Sequence, residues 1–445
     1  MSRGTKCRVG TVIRVFAGTA LFLGCQTALE SPAGPEAITA AGGGGGRPVS
    51  GPSVTSASPA FGNAGEVGKR VTIRGSGFAP GAQAAWERGG APDPKVTVTS
   101  TEFVSSTELV ATITIAPDAS IDLYDISVML LDRKKGIGYA RFEVTQAMAV
   151  PGTYPLRGAN DTGEMTGGGN GTIWFNPASG IVVLDGLGAG WAIDQTGTVL
   201  VSGGPVPRLW NKIAGAWQLT LLPADPAATG GRASSLTADG TGQALFIGGL
   251  ETVPAGKKAT VQQPRVWRWE TASGAWTRII LPTGPSSNGD VLGVSNNGVA
   301  AGWIGAFQAA VWEPNGAGYS LITLAPNGSR AMGINAAGTL IVGASGGLAA
   351  YWERLPGGGW SAPITLPGGC TLARAVDDLG RIVANDCPSG NRTTPAIFAA
   401  PYSTATMTRL GGLGPTNAGY AEGISPSGIY VVGQAQGVGV YWQIF

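Results

Sequence analysis

The sequence predicts an all-β protein in which a β-sandwich is followed by a seven-bladed β-propeller. Three observations carry this. A short phrase recurs seven times between Asn160 and the C-terminus, short alternating strands fill the stretch before it, and glycine makes up 74 of 445 residues against 13% charged. Valine, isoleucine and aromatics are plentiful, so the composition fits β-structure with many tight turns rather than a disordered chain. The length alone implies more than one domain.

The repeat is clearest at Ala331-Met-Gly-Ile-Asn-Ala-Ala-Gly338-Thr-Leu-Ile-Val-Gly343, followed by Leu348-Ala-Ala-Tyr-Trp352. Each copy reads as an apolar strand, a tight turn, a second apolar strand and an aromatic-ended third. The turns align as Asn160–Gly163, Asp194–Gly197, Asp239–Gly242, Ser295–Gly298, Asn335–Gly338, Asp377–Gly380 and Ser425–Gly428. A short polar residue first and glycine fourth is type I turn chemistry: the side chain bonds back to the backbone, and glycine takes the positive φ. Asp-x-x-Gly also suggests calcium, but serine and asparagine fill the same slot in other copies, which favours the turn. No metal or cofactor is expected.

The turn glycines lie 34, 45, 56, 40, 42 and 48 residues apart, the length of a four-stranded blade rather than a solenoid coil. The recurring aromatics Trp174, Trp210, Trp267, Trp312, Trp352, Phe398 and Trp442 are expected to pack between neighbouring blades. The last copy stops after its third strand at Tyr441-Trp-Gln-Ile-Phe445, leaving an edge that needs a partner. Thr153-Tyr-Pro-Leu-Arg157 is the expected closing strand. The phrases Met332–Gly343 and Ala421–Gly433 resemble the HAF-type extracellular propeller repeats. The His-Ala-Phe element is replaced here by Gln308-Ala-Ala-Val-Trp312 and Leu348-Ala-Ala-Tyr-Trp352. That resemblance implies a fold and no single activity.

Residues 52–146 carry period-2 strands such as Lys69-Arg-Val-Thr-Ile-Arg and Leu109-Val-Ala-Thr-Ile-Thr-Ile, the pattern of a sandwich. Val71-Thr-Ile-Arg-Gly-Ser-Gly-Phe78-Ala-Pro-Gly81 resembles the IPT/TIG family, which implies an immunoglobulin-like β-sandwich used as a spacer or binding module. Trp86 is read as core. The propeller is assigned to residues 152–445.

The first 25 residues combine a basic start with a short apolar run, a signal peptide rather than a membrane span. Leu21-Phe-Leu-Gly-Cys25 resembles the bacterial lipobox, although Phe22 stands where leucine is usual. The resemblance implies lipid on Cys25 and anchorage to the cell envelope. Gln26 is not the aspartate that retains such proteins at the inner membrane, which favours the outer membrane or cell surface. Residues 26–51, with five consecutive glycines at Gly42–Gly46, read as a flexible tether.

Histidine is absent, which excludes Ser-His-Asp and Cys-His machinery and histidine-ligated metals. Of 29 basic residues four precede Cys25, leaving 25 against 27 acidic, no footprint for nucleic acid. Cys370 and Cys387 fall in cross-strand register around the Asp377–Gly380 turn and are expected to form a disulfide. No catalytic residue is assigned. Loops linking second to third strands vary between copies, and variable loops on a rigid scaffold are where binding resides. Trp303, Phe307, Lys257, Lys258 and Arg392 are the candidate ligand-binding residues. The leading expectation is non-catalytic binding of a glycan or surface protein. A carboxylate-dependent carbohydrate-active enzyme and a structural envelope component are the alternatives.

Overall fold

The computed structural model describes residues 51–445 except 153, 170, 240, 257–258, 317, 390–391, 415–418 and 445. Cys25, the expected signal peptide and nearly all of the tether lie outside the described residues, as do Lys257 and Lys258. Among the described residues every regular element is a β-strand apart from two short 3-10 turns.

Two sheets make the N-terminal sandwich. One orders Ser53–Ser58, Lys69–Ser76, Glu108–Ile115 and Val96–Ser105. The other orders Phe61–Asn63, Lys135–Thr145, Asp122–Met129, Gln83–Arg88 and Ala91–Pro92. Along Glu108–Ile115 every second side chain is buried, as a sheet with one inward face requires. Val71, Ile73, Leu109, Ile113, Tyr124 and Ile126 form the core with Trp86, which meets Phe142 edge-on at 5.5 Å. The expectation for Trp86 holds.

The first six repeats each contribute four antiparallel strands in the order of the chain, and the last contributes three. The second and third share one eight-stranded sheet, joined where Gly203 and Gly204 pair with Arg232 and Gly231. The recurring aromatics are all buried, with Trp267, Trp312, Trp352, Phe398 and Trp442 wholly so. The indoles of Trp267 and Trp312 donate at 2.7 Å to the carbonyls of Pro223 and Pro282, just past the fourth strands of the preceding repeats. The fold is therefore propeller-type, an arrangement that buries each sheet face against the next.

The closing strand differs from expectation. Ala147–Ala149 pairs with Trp442–Val440 and completes the last sheet, while Leu156–Ala159 opens the first one. Chain continuity decides this, because the last sandwich strand ends at Thr145 and delivers Ala147 directly to the exposed edge. The Thr145 hydroxyl accepts the Ala147 N–H at 2.9 Å, and buried Glu143 accepts the Gly412 and Gly414 N–H groups at 3.0 and 2.9 Å. Sandwich and repeats belong to one compact unit.

Candidate functional site

Every first strand of the seven repeats is broken by a β-bulge at one equivalent place. In the first, Leu156 pairs with Gly167 and Gly158 with Thr166, so Arg157 is left without a partner. The same slip isolates Trp191, Ser234, Leu292, Met332, Arg374 and Glu422. A bulge re-aims its extra side chain, and here all seven line one open channel of about 220 Å³. The repeat phrase encodes this geometry. A Cβ on Gly343 would lie 1.8 Å from the Arg330 carbonyl that the bulge tilts inward, and one on Gly423 would lie 2.2 Å from the Arg157 carbonyl of the adjoining strand.

The channel is electrically uneven. Trp191 lies between two guanidinium groups, with Arg157 at 4.7 Å and Arg232 at 4.9 Å from its ring. Such contacts hold a cation where water is excluded. Arg232 pairs with Asp290, and its Nε donates to Ser234 at 3.1 Å. Arg374 pairs with Glu422 at 2.6 Å. Arg157 donates to the Gly168 carbonyl and has no carboxylate within ion-pair distance among the described residues. Burial lowers its affinity for its proton, Glu422 opposes that, and Arg374 and Arg232 add to it. Asp290 is fully buried, and burial pushes its pKa up to about 6 against the pull of Arg232.

Trp303 and Phe307 are not among the residues that line the channel; they lie at the link between second and third strands, away from the turn, where Trp303 pairs with Asp290. Their rings meet at 4.9 Å, and the Arg330 guanidinium of the next repeat stands 3.6 Å over Phe307. The cluster spans two repeats and leaves Phe307 40% exposed. Phe307 holds φ 61°, a left-handed conformation taken in two sister hairpins by Gly347 and Gly437. A bulky side chain there costs about 1 kcal/mol relative to glycine. The backbone of Arg392 pairs with Ser389, in a different hairpin.

The opposite end is uniform. All seven turn glycines have φ between 67° and 80°. Turn side chains accept backbone N–H groups as expected: Asp194 from Thr198 and Val199, Asn335 from Thr339 and Leu340, Asp377 from Leu379 and Arg381. Asp378 does more than fill a turn, since it accepts the Ala336 N–H at 3.0 Å and donates its own N–H to Pro426 at 2.8 Å. Further bonds join Asn296 to Ala336 and Ser427 to Asp161, tying repeat to repeat around the rim. Among the described residues no cluster of acids and cysteines could hold a metal ion.

Cys370 and Cys387 are disulfide-bonded, as the turn register predicts. Glu251 and Glu313, isolated in sequence, are not isolated in space. Buried Glu251 accepts Arg265 at 2.7 Å and Arg278 at 2.5 Å, and Glu313 pairs with Arg354 and accepts the Trp360 indole at 2.9 Å. The channel residues Arg157, Trp191, Arg232 and Arg374 escape sequence reasoning. The signal for Arg157, Trp191 and Arg374 is the variable slot of the phrase that Met332, Leu292 and Glu422 fill in other copies; Arg232 lies two residues before that slot, which Ser234 fills.

Residues 52–135 match the IPT/TIG domain family model. No curated protein matches the chain. Among solved structures it is similar to "YCF48 bound to D1 peptide", at 14% identity over 68% of this chain and 96% of that one, TM-score 0.44. It is also similar to the tricorn protease, at 9% over 84% of this chain and 46% of that one, TM-score 0.41. The WD40 domain of SCAP from fission yeast is similar at 11% over 65% and 79%, TM-score 0.38. Likeness at these identities bears on fold alone. An IPT/TIG immunoglobulin-like domain joined to a propeller-type β-fold is what the chain contains.

Proposed function

We propose that the chain is a lipid-anchored bacterial surface protein whose seven-bladed propeller binds a protein or glycan, without turning it over, at the bulge-lined mouth of its channel. One observation carries the reading. Positions that the fold needs hold one chemistry in all copies, namely a short polar residue and glycine in the turn and an aromatic on the third strand. The bulge position instead varies, with six residue types in seven copies: Arg157, Trp191, Ser234, Leu292, Met332, Arg374 and Glu422. A slot that the fold leaves free and aims at one cavity is where a ligand sets the sequence. Trp303, Phe307 and Arg330 extend the surface, and aromatic and arginine side chains dominate binding energy at interfaces. The two channel acids, Asp290 and Glu422, are each neutralised by an arginine, which favours binding over carboxylate catalysis.

The test is a binding screen of residues 26–445 against glycan, cell-wall polymer and peptide arrays, followed by tryptophan fluorescence titration of each hit. A saturable hit weakened at least tenfold by Trp303→Ala or Phe307→Gly, and unaffected by Gln195→Ala on the opposite rim, supports the reading. Hits indifferent to every channel-mouth substitution overturn it. Lipid attachment has its own test: Cys25→Ser should move the protein from the membrane fraction to the soluble one and abolish labelling by a fatty-acid probe.

A further inference from the structure

Three guanidinium groups gather around the channel, on Arg157, Arg232 and Arg374, against two carboxylates. Asp290 answers Arg232 and Glu422 answers Arg374. Arg157 is the surplus. It donates to a backbone carbonyl, its ring partner is Trp191, and its two charged neighbours of like sign repel it. A half-buried charge whose neighbouring carboxylate, Glu422, is already paired with another arginine is costly. The fork of N–H donors on a guanidinium matches a planar oxyanion, whose pairing with it is short and directional.

The remaining walls limit what carries that anion. Two guanidinium groups already stand over the Trp191 ring, on the aromatic surface that a sugar ring would need for stacking. Leu292 and Met332 supply an apolar wall, and each bulge leaves backbone groups outside the strand ladder. A space of about 220 Å³ suits one side chain or a chain end rather than a threaded polymer. Carboxylate, apolar contact and backbone hydrogen bonding together describe a peptide.

We propose that the channel mouth captures an acidic peptide segment of a partner protein, with one of its carboxylates seated on Arg157 beside Trp191. This rests on the binding role proposed above and names its ligand class. Arg374 is a second donor that Glu422 occupies, so an incoming carboxylate reaches it only by competing with Glu422.

The experiment uses the whole chain and three probes of equal length: penta-glutamate, penta-glutamine and penta-galacturonate, read by tryptophan fluorescence and calorimetry. Penta-glutamate should bind saturably, penta-glutamine at least tenfold more weakly, and added salt should weaken the interaction. Arg157→Gln should reduce penta-glutamate affinity at least tenfold. Glu422→Gln, which frees Arg374, should raise it severalfold, and this variant decides the matter if Arg157→Gln fails to fold. Equal binding of penta-glutamine, or Glu422→Gln at or below wild type, overturns the proposal. Tight penta-galacturonate with silent penta-glutamate overturns the peptide assignment. If array ligands bind and respond to Trp303→Ala but not to Arg157→Gln, the carboxylate site is wrong while the binding face stands.

Discussion

The two ends of the channel are built from the same seven strands and differ in what they repeat. At the turn end, asparagine, aspartate or serine caps a turn closed by glycine, and neighbouring turns bond to one another around the rim. At the bulge end, seven equivalent positions carry two basic residues, an acid, a tryptophan, a serine and two aliphatic side chains. The contrast separates what the architecture demands from what it permits. Hydrogen bonding and close packing leave one answer in the turns, whereas a bulge residue projecting into open space is free to be chosen for a ligand.

Breaking a repeated position should therefore cost stability, most of all in the aromatic stripe. Trp312→Ala empties a wholly buried site and should destabilise by about 3–5 kcal/mol, seen as a lowered thermal melt. Replacing both Cys370 and Cys387 by serine should cost about 3 kcal/mol, because the bond closes a loop of 17 residues. An unchanged melt in reducing buffer would contradict that.

Asp290 joins the two classes, since it pairs with Arg232 at the bulge end but is itself buried. Its folded pKa of about 6 lies above the ordinary 3.8, so the folded chain binds the extra proton between those values. Stability from this group is present at low pH and falls as pH rises from about 4 to about 6. Asp290→Asn should flatten that slope in urea melts taken across the window. The smallest effect is expected at a bulge: Leu292→Gln should change stability by less than about 1 kcal/mol while altering ligand selectivity. A large destabilisation there would erase the distinction between the two ends.

What was legible in the sequence follows the same division. The turns, the aromatic stripe, the sandwich and the Cys370–Cys387 bond are local or periodic, and each copy of the phrase confirms the others. The sequence pattern points to Thr153–Arg157 as the closing strand, and only the path of the chain out of the sandwich selects Ala147–Ala149 instead. The bulges were hidden for a related reason. A one-residue slip between strands leaves no periodic mark, although a glycine such as Gly343 stands opposite the slip in five of the seven copies. The sequence puts Trp303 and Phe307 in one link between second and third strands, but the contact of Phe307 with Arg330 depends on a neighbouring repeat. The Arg157–Trp191–Arg232 stack joins three repeats that are separated by 34 and 41 positions in the chain.

The central claim is that the bulge layer serves a ligand and not the fold. It is tested by making that layer uniform, with serine at Arg157, Trp191, Leu292, Met332, Arg374 and Glu422 to match Ser234. Melting and array binding would be measured beside wild type. The account predicts a chain that still melts cooperatively and has lost its saturable ligands. A chain that fails to fold, or that binds as wild type does, would contradict it.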